Sequence, residues 1–207
     1  MNIGKACGLI LMFFSGVLFS QSLKLGVTGN FHKSSIVGIH DFSKGKFGGG
    51  LGFYASFPLV ENDIFDSAWL YLVPQIEYSM QGENADPPQG YQTFDNHYVA
   101  AQFYVKYFLH KGGFKRDVFF FAGPRVEYLV SEARKGPEVY DMFVEQEKKI
   151  NSFGYGVSFG AGLRISNEIE AFLRYDRGFS KIYPDYTMHN TYNRLLGIGI
   201  NYTLYTD

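Results

Sequence analysis

The sequence predicts an all-β fold, an eight-stranded antiparallel up-and-down transmembrane β-barrel. Three observations carry that expectation. Eight stretches alternate apolar residues with polar or small ones at period two. Glycine is concentrated on the polar faces, while aromatic residues gather toward the ends of the apolar faces. The connections alternate between long and short, as hairpins with loops at one end and turns at the other require. Composition agrees: 21 Phe, 16 Tyr and 24 Gly against a single Trp favour strands and turns over helices.

The chain opens with Lys5 and an apolar run, Gly8 to Phe19. This run is shorter than the roughly 20 residues a membrane-spanning helix needs, and it reads as an export signal. Residues 1–20 are therefore expected as a cleaved signal peptide, with Ser20–Gln21 at the cleavage point, and 21–207 as one barrel domain. Cys7, the one cysteine, precedes the run, so the mature chain holds no thiol and no disulfide. A formal net charge of −1 gives no electrostatic case for nucleic acid.

The strands follow in order. Leu23, Leu25, Val27, Gly29 and Phe31 alternate with Lys24, Gly26, Thr28 and Asn30. Leu51, Phe53, Ala55, Phe57 and Leu59 make the apolar face of the second, and Leu70, Leu72, Pro74, Ile76, Tyr78 and Met80 that of the third. Val99, Ala101, Phe103, Val105 and Tyr107 mark the fourth, and Val118, Phe120, Ala122, Pro124, Val126, Tyr128 and Val130 the fifth. The sixth sets Tyr155 to Ile165 against Gly156, Ser158, Gly160, Gly162 and Arg164. The seventh sets Ile169, Ala171, Leu173, Tyr175 and Phe179 against Glu170, Phe172, Arg174 and Asp176, and Arg177 breaks its apolar face. In the eighth, Leu196, Ile198, Ile200, Tyr202 and Leu204 oppose Leu195, Gly197, Gly199, Asn201 and Thr203.

Long polar connections are expected over 32–46, 82–97, 131–152 and 181–194, with a short helix over Val139, Met142 and Phe143. Shorter ones cover 60–68, 110–117 and 166–168.

Period two alone does not separate a membrane barrel from a soluble one. The glycines do: a solvated face gains nothing from glycine, whereas a narrow lumen crowded by side chains needs the space. Charges sit mid-strand on the same faces in near balance. Phe57, Tyr107 and Tyr202 fall near one rim, and Phe31, Tyr78, Tyr128, Tyr155 and Phe179 near the other, as interfacial girdles do. Pro74 and Pro124 lie mid-strand, where each removes a ladder hydrogen bond, and a bulge or kink is expected at each.

Four segments carry a family resemblance: Lys24-Leu-Gly-Val-Thr-Gly29, Leu72-Val-Pro-Gln-Ile-Glu-Tyr-Ser79, Phe103-Tyr-Val-Lys-Tyr-Phe108 and Phe121-Ala-Gly-Pro-Arg-Val-Glu-Tyr128. Their order resembles the PorT-like outer membrane protein β-barrel domain over nearly the whole mature chain. The resemblance implies an outer-membrane barrel of a Gram-negative envelope, and its namesake implies an accessory role in a type IX-like secretion apparatus. Barrels of this kind commonly end on an aromatic residue; here Thr206 and Asp207 follow Tyr205.

The residues that could carry chemistry lie on the inward faces: Lys24, Glu77, Lys106, Arg125, Glu127, Arg164, Glu170, Arg174 and Asp176. Eight strands enclose just enough room for side chains, so these are expected to form an ion-paired plug rather than a pore. His32, His40, His97 and His189 are expected in or beside the long loops, without metal-ligand spacing. Parts of a lipid-acyl hydrolase are present in His97 and His189 with Ser79, Ser131 or Ser180, but no motif joins them. The expectation is no enzyme, no cofactor and no metal. The function is structural, adhesive or partner-docking through the long loops, with secretion accessory, small-solute pore and lipid-modifying enzyme as alternatives. Expected partners are outer-membrane lipid, the barrel-assembly machinery during insertion, and envelope or secretion proteins.

Overall fold

A computed structural model describes residues 23–38, 43–62, 67–86, 90–110, 117–136, 149–186 and 189–206. Its strands are β1 (Lys24–Val37), β2 (Ser43–Asn62), β3 (Ser67–Ala85), β4 (Gln92–Phe108), β5 (Val118–Lys135), β6 (Phe153–Arg164), β7 (Ile169–Gly178) and β8 (Tyr192–Thr206). Each pairs antiparallel with the next, and β1 pairs with β8 to close the barrel. The expected signal peptide and the helix around Met142 lie outside the described residues.

Cα partners traced from Gly26 through Tyr54, Gln75, Gln102, Arg125, Gly156 and Gly178 return to β1 beside Ile36. That stagger of about ten residues sets the strands of an eight-stranded barrel at about 40° to its axis.

The apolar face points outward. On β8, Leu196, Ile198 and Ile200 are 53%, 61% and 55% exposed, while Leu195 is 2% exposed. A soluble barrel would bury that face; here the band is bare on all eight strands, as contact with lipid requires. Most of the girdle residues are exposed at its edges, among them Phe31, Tyr78, Tyr107, Tyr128, Tyr155, Phe179 and Tyr202. Phe57 is half-buried.

Inside, rings and glycines complement each other. Tyr54, Tyr71, Val73, Tyr104, Phe108, Phe119, Phe121 and Phe172 form one buried cluster. A Cβ on Gly162 would stand 2.2 Å from Phe119 Cζ, one on Gly160 2.5 Å from Phe121 Cζ, and one on Gly199 2.3 Å from Phe172 Cζ. The strand positions without side chains are the seats of the lumenal rings.

Two expectations need correction. The stretches read as long loops after β1 and β3 are mostly strand: β1 runs to Val37, β2 starts at Ser43, β3 runs to Ala85 and β4 starts at Gln92. The polar residues there follow the barrel wall above the lipid, where hydrophobic alternation is no longer needed to mark a strand. Pro74 and Pro124 also make no bulge. Pairing lapses between β2 and β3 opposite Val73–Pro74, and between β4 and β5 at Gly123–Pro124, then resumes in the same register. Each proline keeps its place against its other neighbour, Phe103 for Pro74 and Val157 for Pro124. A missing donor therefore costs one local gap rather than a shift.

Candidate functional site

The inward faces bring the nine charged residues into the lumen, eight of them buried and Lys24 half-buried. They form two layers. In the central one, Arg174 donates from both Nη atoms to the two oxygens of Glu77, at 2.8 and 2.9 Å. Its Nε lies 3.2 Å from Asp176 Oδ2. Arg125 donates to the same Asp176 oxygen at 3.1 Å and to Glu127 Oε2 at 3.2 and 3.1 Å. Two guanidiniums thus thread three carboxylates, and the bidentate Arg174–Glu77 pair has the strongest geometry available to such groups.

The second layer lies nearer the short turns, the periplasmic end in this architecture. Lys106 Nζ donates to Glu170 Oε2 at 2.7 Å, and Arg164 Nε stands 3.9 Å from Glu170 Oε1. The Arg164 guanidinium also lies over the Phe108 ring at 3.8 Å, and Lys106 over Phe119 at 4.8 Å. Lys24 is 5.8 Å from the Tyr71 ring. The aromatic cluster separates and cushions the two layers.

Sequence reading missed the amides that complete the two layers. Asn30 and Gln75 each donate to Glu77 Oε2 at 3.0 Å. Gln81 and Asn193 donate to the two oxygens of Glu127 at 3.2 and 3.1 Å. Asn201 donates to Glu170 at 3.2 Å. Their signal was available, since every one shares the inward parity of the charges.

His32 and His97 are corrected from loop to strand. His32 is buried on β1, its Nδ1 2.7 Å from Asn30 Oδ1 and its Nε2 2.9 Å from Met80 O. Beside it, Ser34 Oγ donates to Gly82 O and accepts from Gly82 N, both at 2.9 Å. These two β1 side chains reach β3 where the β2–β3 register slips between Gly45 and Gly50. His97 Nδ1 lies 2.5 Å from Tyr78 Oη, and Ser131 is its cross-strand neighbour. His189 is exposed, and His40 lies outside the described residues. Ser79 is fully buried and bonded by Gln81.

The long-loop end is capped. Ile182 and Tyr183, from the connection after β7, are buried with Ile36 and Ile150, and Leu129 and Tyr186 pack around them. Ile182 N donates to Thr191 O at 2.9 Å, Asn151 N donates to Ile182 O at 2.8 Å, and Tyr183 N donates to Thr191 Oγ1 at 3.0 Å. Burial pushes the Tyr183 phenol up to about 12, with Arg134 beside it pulling the other way. Asp95 of β4 takes Lys46 and Lys135 as ion partners. One cavity of about 20 Å³ lies between the two layers and another of about 10 Å³ on the loop side of the central one, beside Glu127 and Asn193, each about the size of a single water.

Among solved structures, the fold is similar to the outer membrane protein OprG from Pseudomonas aeruginosa, at 9% identity and a TM-score of 0.53, covering 90% of this chain and 97% of that one. Neisserial surface protein A is similar at 11% identity and 0.49, covering 87% and 97%. Ail, the attachment invasion locus protein of Yersinia pestis, is similar at 8% and 0.46, covering 87% and 98%. At such identities the likeness is one of fold. No curated protein sequence matches the chain. Residues 19–183 match the outer membrane protein beta-barrel domain, and with the lipid-facing apolar band and closed eight-stranded topology, the chain belongs to that family.

Proposed function

We propose that this outer-membrane barrel works through its extracellular surface, as a docking or adhesive element, and neither conducts solutes nor catalyses a reaction. The observation that carries this reading is the lumen, filled from the short-turn end upward by the Lys106–Glu170 layer, an aromatic layer, the central Arg125–Arg174 layer and an apolar cap. The wall supports it from outside: β1 to β5 continue past the girdle into a polar rim, and Ser131 to Lys135 of β5 are exposed throughout. The PorT-like resemblance and export by a signal peptide over residues 1–20 belong to the same reading.

Planar-bilayer recording of the refolded barrel tests it. No stable open level is expected at any voltage; a reproducible open level would overturn the plugged reading. Lipid mass spectrometry of a deletion strain tests the catalytic half, with an unchanged acylation pattern expected.

A further inference from the structure

Arg177 interrupts the outward alternation of β7 just above the apolar band. The register sets it opposite Arg194 of β8, and Arg194 opposite Ser35 of β1. Tyr175 and Leu196 are the outward residues one row below. Arg194 is exposed and Arg177 half-buried. Lys33, exposed on β1, stands two residues below Ser35 and extends over Gly45 and the Phe47 ring. Three cations therefore follow the upper border of the apolar band across β7, β8 and β1. Across the barrel the same border is made by Met80, His97 and Val130. The strip is one-sided.

Like charges directly opposite one another across two strands destabilise the pair. Nothing among the described residues relieves this one. The Arg177 guanidinium lies 5.6 Å from the Tyr192 ring, and Arg194 Nε donates to Ser35 Oγ at 3.4 Å, contacts that leave both charges in place. Among the described residues no carboxylate pairs with Arg177, Arg194 or Lys33, whereas Lys46, Lys106, Lys135, Arg125 and Arg174 all have one. An anion between the guanidiniums would turn the repulsion into a clamp, and guanidinium forks fit phosphate oxygens two at a time.

The level of the strip selects the anion. Just above the hydrocarbon band lie the lipid headgroups. Below the strip the apolar outer wall forms a shallow groove, where Gly29, Ala161 and Ala171 lie low beside Leu173, Ile198 and Ile200. We infer that Arg177 and Arg194, with Lys33 beside them, hold the phosphate of an anionic outer-leaflet lipid whose acyl chains occupy this groove.

Native mass spectrometry of the folded protein, released from neutral phosphatidylcholine nanodiscs, tests this with three probes: bisphosphorylated lipid A, its dephosphorylated form, and inorganic phosphate. Lipid A is expected to remain bound, with the dephosphorylated form at least about tenfold weaker, as loss of a charge-assisted bidentate contact implies. The Arg177→Gln/Arg194→Gln variant should lose lipid A to the same extent while keeping the faster-running folded band on unheated gels. Equal retention by the variant, equal binding of the two lipid forms, or equally tight binding of inorganic phosphate would each overturn the assignment. Should the variant not fold, retention by the wild type in rising salt decides: it must fall, and salt-independent retention refutes the clamp.

Discussion

Replacing Arg174 by Met removes one of the two guanidiniums that hold the central layer of the lumen. Arg174 and Glu77 are each 1% exposed, so the change takes place away from water. Glu77 loses its two donors at 2.8 and 2.9 Å and keeps the amides of Asn30 and Gln75 at 3.0 Å, with Arg125 Nη1 at 3.9 Å. Asp176 loses the contact at 3.2 Å and keeps Arg125 at 3.1 Å. One guanidinium then faces three carboxylates. Breaking a buried pair from one side costs about 3–5 kcal/mol, because a charge stays behind without its partner. Adding Glu77→Gln removes that stranded charge, so the double variant should cost at least about 2 kcal/mol less than the two single changes together. Guanidinium titration of the vesicle-inserted barrel, followed by Trp69 fluorescence and by unheated gel migration, measures both quantities. A single-variant cost below about 1 kcal/mol, or coupling within about 0.5 kcal/mol of zero, would refute the view that this pair holds the central layer.

Further outcomes follow from other parts of the barrel. Gly162→Ala puts a methyl into the Phe119 ring and the Ala171 carbonyl, at 2.2 and 2.5 Å. It should cost about 1–3 kcal/mol in the same titration, whereas a cost near zero would mean the ring moves freely. Ile200→Arg, at the middle of the outward face of β8, should cost about 2–4 kcal/mol in lipid, and the same change at Leu204 nearer the rim clearly less. Equal costs would count against the expected membrane depth. Tyr183 titrates near 12 when folded against about 10 when unfolded. Its contribution is therefore complete below pH 10 and is lost as pH rises through 12. Hydrogen exchange at the Ile182 and Asn151 amides should accelerate across that window, less so in Tyr183→Phe; acceleration of equal size in the variant would place the titrating group elsewhere.

Within the lipid band, sequence alone was enough to assign the faces. Residues such as Ile198 and Gly199 differ so sharply in what they can face that parity assigns them, and the charged set fell on the lumen side by the same parity. Above the band the signal fades, because a strand with water on its outer side needs no apolar face. Ser34, Glu83 and Asn96 consequently read as loop, although they sit on β1, β3 and β4. The division of the charges into two layers was illegible for another reason. It depends on the stagger between strands, which brings Arg174 to Glu77 and Lys106 to Glu170 across the lumen, and parity along one strand carries no information about stagger. The cap was marked only by Ile182, Tyr183 and Tyr186, apolar residues in a stretch with no alternation to give them a face.

Seven of the eight ladders join strands adjacent in the chain; the eighth zips all fourteen residues of β1 to β8, Lys24 meeting Thr206. Closing so long a loop is thermodynamically mild. Relative to a hairpin it amounts to roughly four doublings of loop length, about 2.5 kcal/mol. In time it is severe, since the sheet keeps two bare edges until its last strand arrives. Damage to β1 or β8 therefore threatens completion itself, leaving an open sheet with two edges able to pair with any other chain, whereas the same damage in β4 removes contacts from a ring whose ends can still meet.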